Sequence, residues 1–346
     1  MSKLLSYSGL VTKIRAMQSQ LLTDDQYREL AEMTSVPMAV AWLRQKPTYK
    51  ELLSGQDEST LHRGDVEKHL TNTIYNDYAS IYRFANIEQR KFLSLYFKRY
   101  EIAILKNCLN KIFDHRDLDL DLDLFKSFFD KHSHMDIELL TSSTSLDQLI
   151  FNLQGTEYYL PLHRLQEMKE ASLFDYETAL DLYYFRSIWK VKDKLFKKKD
   201  LEQLTAIYGN KFDMLNLQFI HRSKKFFQMT PADIYALIIP IHYKLTKNEI
   251  IAMAEAEDDD AFQEILKKSY YGKHYDLQNN ISLEDVYIYS MKHILSRQVA
   301  KQPYGVASMY QYLYLKDHEI RRLTVALECI RYGLTADLAM QHILKF

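Results

Sequence analysis

The chain is poor in the residues that break helices. Of 346 residues only 8 are Gly and 6 are Pro; average usage would give about 24 and about 17. Turn-dense sandwiches and barrels, collagen-like chains and loose linkers need more of both, so these classes are excluded. The glycines are also scattered. The nearest pair is Gly55 and Gly64, so neither G-x-G-x-x-G nor a P-loop can be written, and the two common nucleotide cradles are absent. Cysteine is scarce too. Cys108 and Cys329 cannot build a disulfide scaffold, and a reducing cytoplasm is the expected setting. There is no excess of positive charge: Lys+Arg 45 against Asp+Glu 46 leaves a net charge of -1, which argues against nucleic acid as a partner. Long apolar runs are missing as well. The N-terminus has no sustained apolar core, so no secretory signal is expected. The most apolar stretch, Tyr235 to Tyr243, is interrupted by Pro240 and His242 and falls well short of the ~18 residues of a membrane span. Association with a membrane is therefore expected only through a partner.

What is abundant is tyrosine, at 26 residues, a side chain suited to helix packing and interfaces because it joins a large apolar body to a polar tip. One pattern containing it recurs: Tyr, an acid five residues on, then Ile or Met, then Leu three further. It reads Tyr96 to Glu101, Ile102 and Leu105, then Tyr208 to Asp213, Met214 and Leu217, then Tyr314 to Glu319, Ile320 and Leu323. A second block recurs upstream of each copy, a short helical stretch ending near Thr or Ser and Tyr. Its copies run Ala39–Leu43 to Thr48-Tyr49, Leu146–Phe151 to Thr156 and Tyr158, and Ala261–Leu266 to Ser269-Tyr270. Both blocks repeat with one period of roughly 110 residues, a spacing that marks an internal array. Three homologous units follow, 1–122, 123–230 and 231–346.

Each unit reads as α-helical. Ile320, Leu323, Leu327, Ile330 and Leu334 advance by three and four, which keeps one helix face buried. Ile102, Leu105, Leu109 and Ile112 repeat the spacing, Met214, Leu217 and Ile220 begin it again, and Leu173, Tyr176, Leu180, Tyr184 and Ile188 form a further stripe. Gly333 is placed to end a helix, Thr335 to cap the next, and Pro231 to open one.

Chemistry-bearing patterns mostly fail on inspection. Asp117, Asp119, Asp121 and Asp123 alternate with Leu, but a calcium loop started at Asp117 needs Gly sixth and Glu twelfth and meets Leu122 and Phe128; an acidic linker is the expectation. His318-Glu319 begins a zinc helix whose second histidine is replaced by Arg322, leaving a ligand short. His132, His134 and Asp136 are expected in a surface loop. Lys192, Lys194, Lys197, Lys198 and Lys199 are expected at a solvated helix end, where cations meet the negative end of the dipole. Glu257 to Asp260 suits a helix start. No catalytic, cofactor or metal residue is assigned. The repeated acids and tyrosines, Tyr96, Glu101, Tyr208, Asp213, Tyr314 and Glu319, are read as structural, each acid near a helix start with its Tyr packed nearby.

The C-terminal segment, Lys301-Gln-Pro303-Tyr-Gly305, then Tyr312 to Leu323 with Lys316 and Glu319, then Arg331-Tyr-Gly-Leu-Thr335, resembles the C subunit of V/A-type rotary ATPases, whose eukaryotic counterpart is the d subunit of the vacuolar proton pump. Phe97 to Ile102, with Arg99 and Glu101, resembles the same family's arginine-aromatic-acid stretch. Members often carry Asn two residues after the acid-Ile pair; here Ile104, Asn216 and Arg322 stand there. The resemblance implies an all-α, funnel-shaped protein of three similar helical-bundle lobes about a pseudo-threefold axis. It implies a non-catalytic central-stalk connector between the shaft subunits of the ATP-driven motor and the membrane rotor (proteolipid) ring, carrying torque for H+ or Na+ transport. It also implies a cytoplasmic location, peripheral to the membrane, and no cofactor. Lys98, Arg99, Lys211, Lys316 and Arg321 are the candidate partner contacts, expected near helix ends that face a central cavity. The alternative is a helical-repeat scaffold of another cytoplasmic assembly.

Overall fold

The computed structural model describes residues 3–51, 53, 63–115, 122–168, 170–275 and 282–345. Among them the regular structure is helical throughout, with no strand. In chain order the helices are α1 (Lys3–Gln18), α2 (Asp24–Ala31), α3 (Val36–Arg44), α4 (Pro47–Lys50), α5 (Arg63–Phe84), α6 (Ile87–Asp114), α7 (Leu122–His132), α8 (Ile137–Thr141), α9 (Leu146–Asn152) and α10 (Tyr159–Glu167). They continue as α11 (Leu173–Leu195), α12 (Lys198–Lys225), α13 (Pro231–Leu237), α14 (Lys247–Glu255), α15 (Asp259–Lys268), α16 (Tyr270–His274), α17 (Leu283–Lys301), α18 (Val306–Arg331) and α19 (Ala336–Ile343). Two compact units divide the chain: Met1–Leu93 with Asp121–Phe128 and Gln302–Phe346, and Ser94–Leu120 with Phe129–Lys301.

Side chains that satisfy the free N–H groups of the first turn fix the helix starts. Thr23, Ser172, Thr230 and Thr246 each form a reciprocal capping box, with Gln26, Asp175, Asp233 and Glu249 respectively, and each such cap is worth about 1 kcal/mol. Pro231 stands in the first turn of α13 as expected. Asp258 caps α15, with Asp259 and Asp260 in its first turn. At the end of α18, Gly333 takes φ +65°. The N–H of Leu334 then reaches the carbonyl of Cys329 at 3.0 Å and that of Gly333 the carbonyl of Ile330 at 3.0 Å, the paired bonds of a left-handed glycine stop. Thr335 does hold the N-cap position of α19, but its side chain makes no capping bond.

The expected helix faces are buried. Ile320, Leu323, Leu327 and Ile330 line the inner side of α18, and Leu105, Leu109, Leu217 and Ile220 are buried as well. In the first unit α18 packs against α5, α1, α2 and α3, and α19 covers α2. In the second, α12 packs against α17, α11, α13 and α14, around a core that includes Met214, Leu217, Ile234, Met253 and Phe262.

Two expectations change. The lysine cluster is not one solvated helix end. Lys198 and Lys199 open α12, and Lys192 is 3% exposed, its ammonium 3.9 Å from the Trp189 ring centroid and 2.7 Å from Asp193. Its long apolar stem makes such burial tolerable while the charge finds a partner. Of the alternating Asp-Leu run, residues 117 to 121 lie outside the described residues, and α7 already begins at Leu122.

Among the described residues close approach requires glycine at two places, at Gly272, where a Cβ would run into the backbone of Leu266 and Lys267, and at Gly209. A Cβ on Gly209 would stand 2.4 Å from Cγ of Tyr243, so the ring lies directly on the backbone of α12. Gly209→Ala should therefore destabilise the fold by about 1–3 kcal/mol, as overpacking does. Gly9→Ala, in α1 with nothing within 4 Å, should instead stabilise it by up to ~1 kcal/mol through helix propensity. Urea unfolding of both variants checks the opposite signs.

Candidate functional site

The three repeated acids do not stand at helix starts. Glu101, Asp213 and Glu319 lie in the middle of α6, α12 and α18, all long helices of 26 to 28 residues. The helix dipole, which acts over the terminal turns, does not account for them. Each is buried, at 7%, 0% and 4% exposure, and a buried carboxylate is stable only when its oxygens are hydrogen-bonded. Two kinds of donor recur, and Glu319 has Lys316 of its own helix besides. In every copy the recurring donors come from the loop just before a capped helix and from a tyrosine of the second repeated block.

In the first compact unit the Leu22 N–H donates to Glu319 Oε1 at 2.7 Å, immediately before the Thr23 cap of α2. Lys316 Nζ donates to Glu319 Oε2 at 2.7 Å and to the Tyr49 hydroxyl at 3.2 Å, and that hydroxyl also bonds Glu319. Asp77 stands 3.9 Å from the same ammonium and accepts from the Tyr312 hydroxyl at 2.6 Å. Tyr27 donates to the backbone carbonyl of Glu319 at 3.2 Å. Burial pushes the Asp77 carboxyl above its ordinary value, opposed by Lys316 and Tyr312. Lys316 itself has no exposed surface. This corrects the expectation that it faces a cavity: its charge is engaged inside the unit.

The second compact unit holds the other two sites. Tyr158 donates to Glu101 Oε2 at 2.6 Å and Ser133 Oγ to Oε1 at 2.5 Å, while Ser133 accepts the Met135 N–H at 3.0 Å, one residue ahead of the Asp136 cap of α8. Asp213 gathers the N–H groups of Tyr243, Lys244 and Leu245 at 3.1, 2.6 and 3.0 Å and the Tyr271 hydroxyl at 3.1 Å, directly before the Thr246 cap of α14. Burial raises its carboxyl above the ordinary value, and those hydrogen bonds work the other way. The third second-block tyrosine is thus Tyr271, not Tyr270, whose ring stacks on His274 at 4.0 Å. Burial and the neighbouring carboxylates push the phenols of Tyr49, Tyr158 and Tyr271 above their usual value.

The place two residues after each acid pair has a related use in two copies. Asn216 brackets the backbone of Ile239, donating to its carbonyl at 3.0 Å and accepting its N–H at 2.8 Å. Arg322 reaches Asp24 in the first turn of α2 at 2.6 Å and lies 4.1 Å from the Tyr27 ring centroid. Ile104 is buried and apolar.

The template tyrosines Tyr96, Tyr208 and Tyr314 are buried, but they pack on their own helices: Arg99 bonds the Tyr96 hydroxyl, Tyr208 stacks on Phe212, and Tyr314 lies 4.2 Å from the His318 ring. Of the proposed contact residues, Lys98 pairs with Glu157, Lys211 is half-buried and Arg321 is exposed. The histidine pair separates: His132 ends α7 half-buried, with burial lowering its pKa, while His134 is exposed and Asp136 caps α8. Among the described residues no group of three metal-ligating side chains converges, and no helix is long and apolar enough to cross a membrane.

Removing one partner of the buried pair should be severe. Glu319→Gln removes the nearer of the two carboxylates around the Lys316 ammonium and should cost about 3–5 kcal/mol, while pairing it with Lys316→Met should recover part of the loss; urea unfolding of the single and double variants reads this out. The buried phenols make a second prediction. A group whose folded pKa is raised contributes stability that is complete below its unfolded value, about 10, and is lost as pH climbs above it. Tyrosine absorbance in alkaline titration should therefore show exposed phenols ionising near pH ~10 and a buried fraction ionising only together with the loss of helical circular dichroism.

Comparison with known proteins agrees in extent with this architecture. The family model described as ATP synthase (C/AC39) subunit matches residues 10–342. The chain is 24% identical over 340 residues to the A-type ATP synthase C subunit of Pyrococcus abyssi, covering 96% of this chain and 88% of that one. It is 23% identical over 325 residues to the C subunit of the A-type ATP synthase of Methanosphaera stadtmanae, covering 90% and 81%. With the corresponding C subunit of Methanosarcina mazei it shares 23% over 345 residues, covering 96% and 91%. The chain belongs to the ATP synthase C/AC39 subunit family.

Proposed function

We propose that this chain is the non-catalytic connector of a V/A-type rotary ATPase: it binds the central shaft subunits of the ATP-driven motor, rests on the membrane rotor ring and passes torque between them for H+ or Na+ transport. In this reading its three homologous pieces, 1–122, 123–230 and 231–346, supply the three lobes of a funnel. It is peripheral to the membrane, held there by the complex, and works without chemistry of its own. The observation that carries the reading is family membership over residues 10–342. The three buried carboxylates support it physically. A torque-bearing part must resist bending, and each carboxylate ties an incoming loop to the middle of a long helix. Close-packed helices with few glycines add to that stiffness. Exposed Arg321 and half-buried Lys211, Lys98 and Arg99 remain the proposed shaft contacts.

Deleting the subunit should leave ATP hydrolysis by the soluble head intact and abolish ATP-driven ion pumping in membrane vesicles. Supplying the Arg321→Glu, Lys211→Glu double variant should restore pumping less well than the parent chain. Pumping that persists without the subunit would defeat the proposal.

A further inference from the structure

A cavity of about 580 Å³ opens within the second compact unit, between α11, the end of α12 and α13. Phe174, Phe185, Phe219, Phe227 and Leu237 form its apolar walls. Phe185 is 7% exposed, but Phe174 and Phe227 at the mouth are 55% and 66% exposed. Concave apolar surface with aromatic rings left largely in water marks a place that another molecule covers. Local backbone holds Phe227 at this edge. Phe226 ends α12, Gln228 turns the chain at φ +48°, and the Met229 N–H returns to the Ser223 carbonyl at 3.0 Å. A non-glycine residue in that conformation is uncommon and needs the surrounding structure to hold it.

The charges around the cavity are unevenly used. Lys106 Nζ donates to Asp181 Oδ2 at 2.7 Å, and Glu177 accepts from the Asn110 side-chain amide at 3.0 Å. Arg222 lines the same cavity and is exposed, and its guanidinium makes no hydrogen bond or ion pair among the described residues. Both carboxylates have donors and the one ammonium has its carboxylate, so the charge left to be answered is a guanidinium beside aromatic rings. Arginine and aromatic side chains are prominent among the residues that dominate binding energy at interfaces.

We infer that this cavity receives the apolar face of an amphipathic helix from another polypeptide, with an acidic side chain of that helix paired to Arg222. Such helices seat side chains spaced three and four apart in an apolar groove, and a guanidinium at the rim fixes register by forking onto a carboxylate. The inference is drawn from the cavity alone and stands apart from the connector reading.

The test places the photo-crosslinker p-benzoylphenylalanine at Phe227 in the full chain, expressed in the cells that make it, and sequences the linked peptide after irradiation. The linked segment should be an amphipathic helix carrying Asp or Glu. Arg222→Glu should lower the cross-link yield at least tenfold, and Arg222→Lys should keep most of it, with circular dichroism showing that both variants fold. No polypeptide adduct, linkage to a second copy of this chain, or a yield indifferent to Arg222→Glu would overturn the inference. Assembly with shaft subunits without a Phe227 adduct would sink this inference and leave the connector reading standing. An Arg222-dependent adduct to a helix of an unrelated assembly would do the reverse.

Discussion

A carboxylate taken out of water must find donors, and most of what is regular in this protein follows from where three such groups find them. Each sits midway along a long helix, where the helix's own N–H groups are already committed to its ladder. The donors must therefore be side chains, such as Lys316 beside Glu319, or groups from elsewhere in the chain. Glu101, Asp213 and Glu319 are answered in the same manner: a loop brings its polar groups to the acid just ahead of a helix cap, and a tyrosine closes the other side. The cap then starts the next helix. One interaction thereby sets both the position of the loop and the direction in which the chain leaves it.

The three sites are variations rather than copies. Asp213 is the shortest acid and takes three consecutive backbone N–H groups, which brings the loop so near α12 that Gly209 is needed beneath Tyr243. Glu101 reaches further and uses the hydroxyl of Ser133 as an intermediary. Glu319 has a buried lysine one turn before it, and that charge draws in Asp77 and Tyr312. Paired buried charges are seldom more stabilising than apolar packing, but they penalise wrong arrangements heavily. A carboxylate is kept at each site while its length and its donors differ with the local geometry.

The sequence shows some of this plainly and hides the rest. Helical character, buried stripes such as Ile320 to Ile330, the stop at Gly333 and the start at Pro231 are local, so spacing and residue type reveal them. The repeated acids and second-block tyrosines are visible as patterns too. Their mutual contact is not, because Tyr158 follows Glu101 by 57 positions and Tyr271 follows Asp213 by 58, whereas Tyr49 lies far ahead of Glu319. Reading each acid with its nearest Tyr therefore pairs the wrong residues: Tyr96, Tyr208 and Tyr314 serve their own helices. Backbone donors such as Leu22 carry no signature in any sequence. The burial of Lys192 and Lys316 is equally hidden, since a lysine among lysines or near an acid reads as solvated until its neighbours are known. The cavity walled by Phe174 and Phe227 depends on residues distant in the chain, and no local spacing announces it.

The bond from Leu22 to Glu319 joins residues 297 positions apart. A ribosome adds about 5–20 residues each second, so the loop at Leu22 waits on the order of 15–60 s for the helix that receives it. Through that interval Leu22 and Tyr49 lack their acceptor, and a part of the molecule made well before α18 is completed only after it. A chaperone able to shelter the helices on either side of Leu22 would find its target during that delay.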